Sequence, residues 1–543
     1  MGHFLVTETL IIELLLIVSL VAMAVRRLRV PYTVALVLVG LLITSQQPGQ
    51  LELTPELILA LFVPPLVFEA AFHIELDQLR DNLIPLLVLA VPGVLLSTLI
   101  VGLVVALGTN ISLSNALVFG ALIAATDPVA VVALFRAMGI PKRLTFLMEG
   151  ESLFNDGTSI VVFGLALTAA LSASGANTGQ AGFNLVVALV DFARISLGGL
   201  GIGLGLGWLM SRVIAQLDDY LIETTLTTVL AFGTYLVAEW LHVSGVLAVV
   251  AAGIVNGNIG PRGMSPTTRI VLFNFWEYLA FVANSLVFLL IGLDVNVQLL
   301  TAHLAPIGVA IGGVLLSRAV IVYGLTWLLN LRWRSIPLAY RHVLFWGGLR
   351  GAIGLALALS LPAAIADREL LRVMAFGVVL FTLLAQGTTM QFLLRWLKIG
   401  DRPAQVVARE TRLGRLLAAQ AGVRRLAELH HDGLLSDDVW AGLRDEYRQT
   451  SNRLAAEMDQ LFAEHADLER EVLLQARREA LRAERAALGD ALRQGLLSED
   501  VYRQLVREVD RRLEAVALIS RATTPPSDAS AEKAPDRGSS GHA

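Results

Sequence analysis

Residues 112–138 read SLSNALVFGALIAATDPVAVVALFRAM, an apolar stretch broken at its centre by Ala125-Thr126-Asp127-Pro128. About 20 mostly apolar residues are enough to cross the ~30 Å hydrocarbon core of a bilayer. Proline removes a backbone donor and disfavours helix in the residue before it. Asp127 suits the N-cap of a helix restarting at Pro128. The stretch is therefore either one kinked helix or two half-helices, with Thr126 and Asp127 adding ligand-type oxygens at the interruption. Unwound backbone at mid-membrane is tolerated only where it lines a cavity or a site. A second interruption stands at Gly347-Gly348-Leu349-Arg350-Gly351-Ala352-Ile353-Gly354. Four glycines around an arginine do not make a stable helix centre. The stretch reads as a second discontinuous helix, with close glycine packing as the alternative. Arg350 needs a carboxylate or a set of exposed carbonyls, and Glu151 is the carboxylate expected.

Working outward, the 543 residues are 55% hydrophobic and only 16% charged, against about 25% charged for soluble domains. The charges divide the chain. Residues 1–402 carry 21 Lys+Arg and 22 Asp+Glu, and the 141 residues from 403 onward carry 21 and 24. Neither part has the basic excess of a nucleic-acid binder. With no cysteine, disulfides, thiolate metal sites and cysteine nucleophiles are excluded. Lys142, Lys398 and Lys533 are the only lysines and none follows a glycine. A phosphate-cradling Gly-Lys-Ser/Thr loop for ATP is therefore absent.

Thirteen apolar stretches are legible, near 5–25, 30–45, 54–74, 83–107, 112–138, 146–173, 183–211, 219–241, 243–258, 271–295, 304–330, 342–363 and 370–397. The first lacks a basic start and a cleavage site and is read as a retained span. Alternate loops hold sixteen Lys or Arg, and the opposite set holds only Arg368 and Arg372. The positive-inside rule then puts the N-terminus outside and the C-terminus in the cytoplasm. The two interruptions fall in the fifth and twelfth stretches. If 1–6 and 8–13 are repeats, an offset of seven inverts one half relative to the other. Inverted repeats with paired broken helices are an architecture of secondary transporters. The fold expected is an all-α membrane protein of about thirteen transmembrane helices with two crossed discontinuous helices.

Charges inside spans are costly and mark ion or proton paths, unless they are interfacial or locked in pairs. The densest set is Gly150-Glu151-Ser152-Leu153-Phe154-Asn155-Asp156-Gly157-Thr158-Ser159. On a helix Ser152, Asp156 and Ser159 share one face, with Glu151 and Asn155 beside it. Hard oxygen ligands suit a hard cation such as sodium. A dehydrated carboxylate favours its protonated form, and a bound cation favours the ionised form. One such group takes a proton or a cation, which is the minimal physics of exchange. Glu69, in Phe68-Glu69-Ala70-Ala71-Phe72-His73, is either a second acid of the site or an interfacial carboxylate. Glu277 is expected to pair with Arg318 in a structural bridge.

Taken in order, FEAAFHIELDQLR, ATDPVAVVALFRAMGIPKRL, GESLFNDGTSIVVF, FWEYLAFVANSLVFLLIGL and GGLRGAIGLALALSLP resemble the monovalent cation:proton antiporter-1 family. The resemblance covers about residues 5–398. It implies that Asp156 binds the ion and the proton. It implies that Asn155 forms with it the Asn-Asp pair of electroneutral exchangers, and that Ser152 and Thr126 supply oxygen to a transported sodium. By the same resemblance Asp127 compensates helix ends, Glu69 is a further acid near the ion, and Glu151 and Arg350 form a structural pair. The implied protein is a homodimer in the plasma (inner) membrane, in contact with lipid. It exchanges sodium, or potassium or lithium, for protons, without cofactor, ATP or nucleic acid. The alternatives are a potassium/proton antiporter of the same fold and a cation channel. An intramembrane enzyme would need His-Glu-x-x-His, Gly-x-Ser-x-Gly or Gly-x-Gly-Asp, none of which occurs.

Residues 403–521 have a helical composition and an internal repeat. Gly433-Leu434-Leu435-Ser436-Asp437-Asp438-Val439 recurs as Gly495-Leu496-Leu497-Ser498-Glu499-Asp500-Val501. Glycine ends one helix, and serine followed by acids starts the next, which predicts two helical hairpins. This cytoplasmic domain either regulates transport or stabilises assembly. His430 and His431 either titrate near neutrality or are a solvated pair. Residues 522–543 read as disordered.

Overall fold

A computed structural model of the chain describes residues 2–28, 32–46, 58–173, 185–216, 219–260, 266–294, 297–331, 336–400, 404–464, 466–493 and 496–523. These are mainly helical, with no strand among the described residues. They form two compact units, 1–401 and 402–543.

The first unit opens with α1 (Gly2–Leu28), α2 (Tyr32–Gln46) and α3, a π-helical turn Ile58–Phe62 running into Val63–Phe72. Then come α4 (Leu76–Gly108), α5 (Leu113–Leu122), α6 (Val129–Met138), α7 (Lys142–Ala173) and α8 (Leu185–Ile214). α9 (Tyr220–Trp240), α10 (Gly245–Ile259), α11 (Pro266–Asp294) and α12 (Val297–Ala302) follow. The unit closes with α13 (Leu304–Asn330), α14 (Leu338–Trp346), α15 (Ala352–Leu359) and α16 (Arg368–Trp396). Seven of these helices are long and apolar enough to cross a bilayer, and the remaining apolar ones are shorter. Among the described residues, the thirteen apolar stretches fall mainly on helix, and the fifth and twelfth are split into α5/α6 and α14/α15. The chain is a multi-pass membrane protein.

Local chemistry sets the ends. Ser112 accepts from the Asn115 N–H and starts α5, and Asp219 accepts from the Leu221 N–H at 2.9 Å and starts α9. Each satisfies a backbone donor that a helix start leaves unpaired. Gly139, at φ +66°, closes α6 in the left-handed conformation that glycine adopts without a Cβ penalty.

Packing sorts the helices into two bundles. In one, α2 lies along α11, and α10 packs against α3, α8 and α9. In the other, α4 contacts α5, α7 and α13, while α15 contacts α5 and α16. Within the first bundle, Gly207 lets α8 approach α10 so closely that an added Cβ would stand 2.9 Å from the Ala252 Cα. Without a hydrophobic driving force between helices in lipid, such small-residue contacts carry the association. α13 and α16 each contain a π-helical turn, Val320–Leu325 and Thr382–Gly387.

The second unit holds α17 (Ala404–His431), α18 (Asp437–Glu464), α19 (Ala466–Arg493) and α20 (Glu499–Thr523). α17 packs on α18 and α19 on α20, giving two hairpins. The repeated motif makes the same bond in both, Leu434 N–H to Leu429 C=O and Leu496 N–H to Ala491 C=O, each at 2.9 Å. His430 is held in place: its ring stacks on Trp440 at 5.3 Å and its Nε2 lies 2.8 Å from Asp437 Oδ1. α20 runs two residues into the segment read as disordered, and the rest of that segment lies outside the described residues.

Candidate functional site

The two unwound segments, 123–128 between α5 and α6 and 347–351 between α14 and α15, meet each other. The Asp127 N–H donates to the Leu349 C=O at 2.8 Å. The Asp127 carboxylate accepts from the Val129 N–H at 3.0 Å and is reached by the Ala352 N–H. It therefore caps α6 and α15 together, and a negative charge there complements two helix N-termini at once. Gly351 is required at this point, since a Cβ on it would stand 2.6 Å from the Asp127 Cγ.

α7 runs past this meeting point. Ser152, on its buried face, donates to the Thr126 C=O. Asn155 donates to the Ala124 C=O at 3.0 Å and to Thr126 Oγ1 at 3.1 Å. The Thr126 N–H reaches the Asp156 carboxylate, whose Oδ1 is buried without a hydrogen-bond partner. α7 thus supplies the donors that carbonyls freed by the break would otherwise lack. Asp156, Ser152 and Thr126 thus bring a carboxylate and two hydroxyls to one place, oxygens of the hard kind that suits a monovalent cation.

A cavity of about 720 Å³ lies at the seam between the two bundles and reaches Asp156. Thr126, Asp127, Ser152, Asp156 and Glu69 line it. Asn155 is not on its wall and sits behind it, bonded to Ala124 O and Thr126 Oγ1 of the unwound segment. Glu69 comes from α3 in the opposite bundle. It lines the cavity, and its Oε1 lies 3.3 Å from His73 Nδ1. Three more wall residues were not assigned to the site from the sequence: His73, Arg136 and Glu149, the last two joined at 3.3 Å. A signal for Glu149 existed, since it precedes Asp156 by seven residues and so shares its helix face. Glu223, fully buried in α9, was also missed among the acids inside spans.

Two expected pairs are corrected. Glu151 does not pair with Arg350, and Glu277 does not pair with Arg318. Glu151 instead takes Arg318 of α13 as a two-pronged partner, and Arg318 also donates to the Leu344 C=O at the end of α14, at 3.2 and 2.8 Å. The reason is reach and count. Gly348 leaves room for the Arg318 side chain to pass, and one guanidinium satisfies both a buried carboxylate and a helix-end carbonyl. Arg350 uses the other option open to it, exposed carbonyls: it donates to Ala124 O at 2.6 Å and Ala125 O at 3.2 Å. Glu277 lines the cavity.

The family described as "Sodium/hydrogen exchanger, transmembrane" matches residues 14–396. A Na(+)/H(+) antiporter of Aphanothece halophytica, ApNhaP, is 44% identical over 400 residues, covering 72% of this chain and 75% of that protein. The low-affinity Na(+)/H(+) antiporter NhaS1 of Synechocystis is 38% identical, covering 88% of this chain and 90% of that one. The solved sodium proton antiporter MjNhaP1 of Methanocaldococcus jannaschii shares the fold with a TM-score of 0.60 at 20% identity, covering 74% of this chain and all of its own.

Proposed function

The chain belongs to the transmembrane sodium/hydrogen exchanger family, and from that premise we propose that it is a sodium/proton antiporter in which both ions compete for Asp156. One observation carries the assignment of the site. Asp156 stands where two unwound segments meet, at the end of a cavity, with one carboxylate oxygen uncommitted. The relatives named above all carry sodium in their names, which favours sodium over potassium as the cargo.

Asp156 releases its proton to the cavity and takes a sodium ion, with Ser152 and Thr126 oxygens completing the shell. Asn155 keeps the unwound backbone aligned. The loaded bundle then moves against the other and exposes the site to the opposite side, where a proton replaces sodium. One carboxylate accepting one charge either way makes the exchange one-for-one and electroneutral. The empty, ionised site crosses poorly because an unpaired charge is costly in an apolar barrier.

The protein lies in the inner membrane as a homodimer, with the N-terminus outside and the hairpin unit in the cytoplasm. Arg136 and Glu149 lie toward the cytoplasmic ends of α6 and α7, so the cavity described here is the inward-facing one. Proton flux in proteoliposomes driven by a sodium gradient tests the reading, with and without an imposed potential. Wild-type flux should be insensitive to potential, and Asp156→Asn should abolish it while leaving a folded dimer. Sodium-dependent proton flux persisting in Asp156→Asn refutes the assignment.

A further inference from the structure

We propose that Thr382 is a positioning residue for cation binding: its hydroxyl anchors the second unwound segment and, through it, the first. The inference rests on the antiporter reading above and extends it to a residue outside the cavity wall. In the unwound segment 347–351, the Arg350 N–H has no carbonyl one turn back to bond. Thr382 supplies the acceptor at 3.1 Å, and its own proton goes to the Val379 C=O at 3.0 Å. That proton assignment leaves a lone pair for Arg350, so the hydroxyl is used in both directions. Thr382 is 1% exposed, and no water competes for the bond.

The anchor acts at the right place. Leu349 C=O accepts from the Asp127 N–H, and the Arg350 guanidinium grips Ala124 O and Ala125 O. Both holds on the first unwound segment therefore flank the bond made by Thr382. From Ala124 the next link is Asn155, and Asn155 also bonds Thr126, whose N–H faces Asp156. A shift at the Arg350 backbone reaches the coordination sphere of Asp156 through hydrogen bonds alone. The π-helical turn begins at Thr382 and ends at Gly387, which lines the cavity with Thr388 and Gln391. One helix turn thus joins the anchor to the cavity wall. π-helical turns of this kind are frequent at functional sites.

Thr382→Val keeps the shape and removes the acceptor, leaving a buried N–H unpaired. The expected result is an apparent KM for sodium raised about fivefold or more, with maximal exchange within about twofold of wild type. Thr382→Ser restores the hydroxyl and should restore KM. A merely structural bolt would lower the melting temperature without moving KM in the folded fraction, and that outcome overturns the proposal. Failure of Thr382→Ser to restore KM overturns it too. If Thr382→Val does not fold, Thr382→Cys and Thr382→Ser are compared, since sulfur is a weak acceptor. KM should then be higher for Cys, and equal values overturn the proposal. The two readings fail differently. A wild-type chain without sodium-driven proton flux defeats the antiporter assignment and this inference with it. An active wild type, a silent Asp156→Asn and an unmoved KM in Thr382→Val defeat this inference alone.

Discussion

Replacing Arg318 by methionine tests the reassigned ion pair most sharply. The change strands the Glu151 carboxylate, 2% exposed, and removes two donors from the Leu344 C=O. Breaking a buried pair by removing one partner costs about 3–5 kcal/mol, because the remaining charge is left uncompensated. One kcal/mol shifts the melting temperature by about 2–4 °C in a domain of 150–250 residues, and by less in a larger unit. The first unit spans 401 residues, so the expected fall in melting temperature is about 3–10 °C. Glu151→Gln in the same background removes the stranded charge and should recover more than half of the fall. The contrasting pair is Arg350→Met with Glu151→Gln. Arg350 hydrogen-bonds carbonyls and not Glu151, so those two losses should come much closer to adding. The assay is thermal unfolding of the purified, detergent-solubilised protein, read as loss of the monodisperse chromatographic peak. Additive losses for Arg318 with Glu151, or a larger recovery for Arg350 with Glu151, refute the reasoning.

Three further perturbations follow from the same geometry. Gly351→Ala drives a methyl group into the Asp127 side chain, so it should displace the carboxylate that caps α6 and α15 and cut exchange at least tenfold; wild-type flux would refute the close approach. Asn155→Asp removes the donor that serves Ala124 O and Thr126 Oγ1 and sets a carboxylate against the Ala124 carbonyl. It should lower the melting temperature and abolish exchange, and a stable variant with potential-driven flux would defeat the donor role. Truncation after residue 402 removes the hairpin unit, and the remaining 1–402 should still fold, as the first unit is compact by itself. Unchanged pH dependence with weakened dimers would assign the hairpins to assembly, and an altered pH profile in intact dimers would assign them to regulation.

Most of the fold was legible because in a membrane the backbone must satisfy itself, so apolar length and helix breakers report directly on structure. Pro128 and the glycines around Arg350 marked both interruptions, and the unwound segments stand at those residues. The site was legible where chemistry is local. Ser152, Asn155 and Asp156 share one helix, and their spacing puts them beside Thr126. Partners of arginines were not legible. Which carboxylate or carbonyl a guanidinium reaches depends on how α13, α14 and α7 pack, and sequence spacing within a helix says nothing about that. His73 and Arg136 were missed for a related reason. Each looks like an ordinary helix-end charge until the seam brings α3 opposite α6 and α7.

The reassigned pair has a mechanical consequence. Glu151, Arg318 and Leu344 all belong to one bundle, that of α7, α13 and α14. So do Arg350 and the carbonyls of Ala124 and Ala125. Among the described residues, the fully buried ionic contacts at the site therefore lie within the bundle that carries Asp156. A pair bridging the seam would have to break in a low-dielectric interior each time the bundles moved, at a cost of several kcal/mol. The charges that do face one another across the seam are Glu69, His73 and Glu277 on one side and Arg136 and Glu149 on the other. These line a water-accessible cavity. Arg136 and Glu149 pair with each other within one bundle, their side chains 60% and 31% exposed, and Glu69 pairs with His73 within the other; such exposed pairs contribute about 1 kcal/mol or less. The strong electrostatics thus lie inside the bundle that carries Asp156, and the weak ones lie at the seam. In the exchange cycle proposed above, that division would let the site at Asp156 change its access without passing through a state in which a buried charge stands alone.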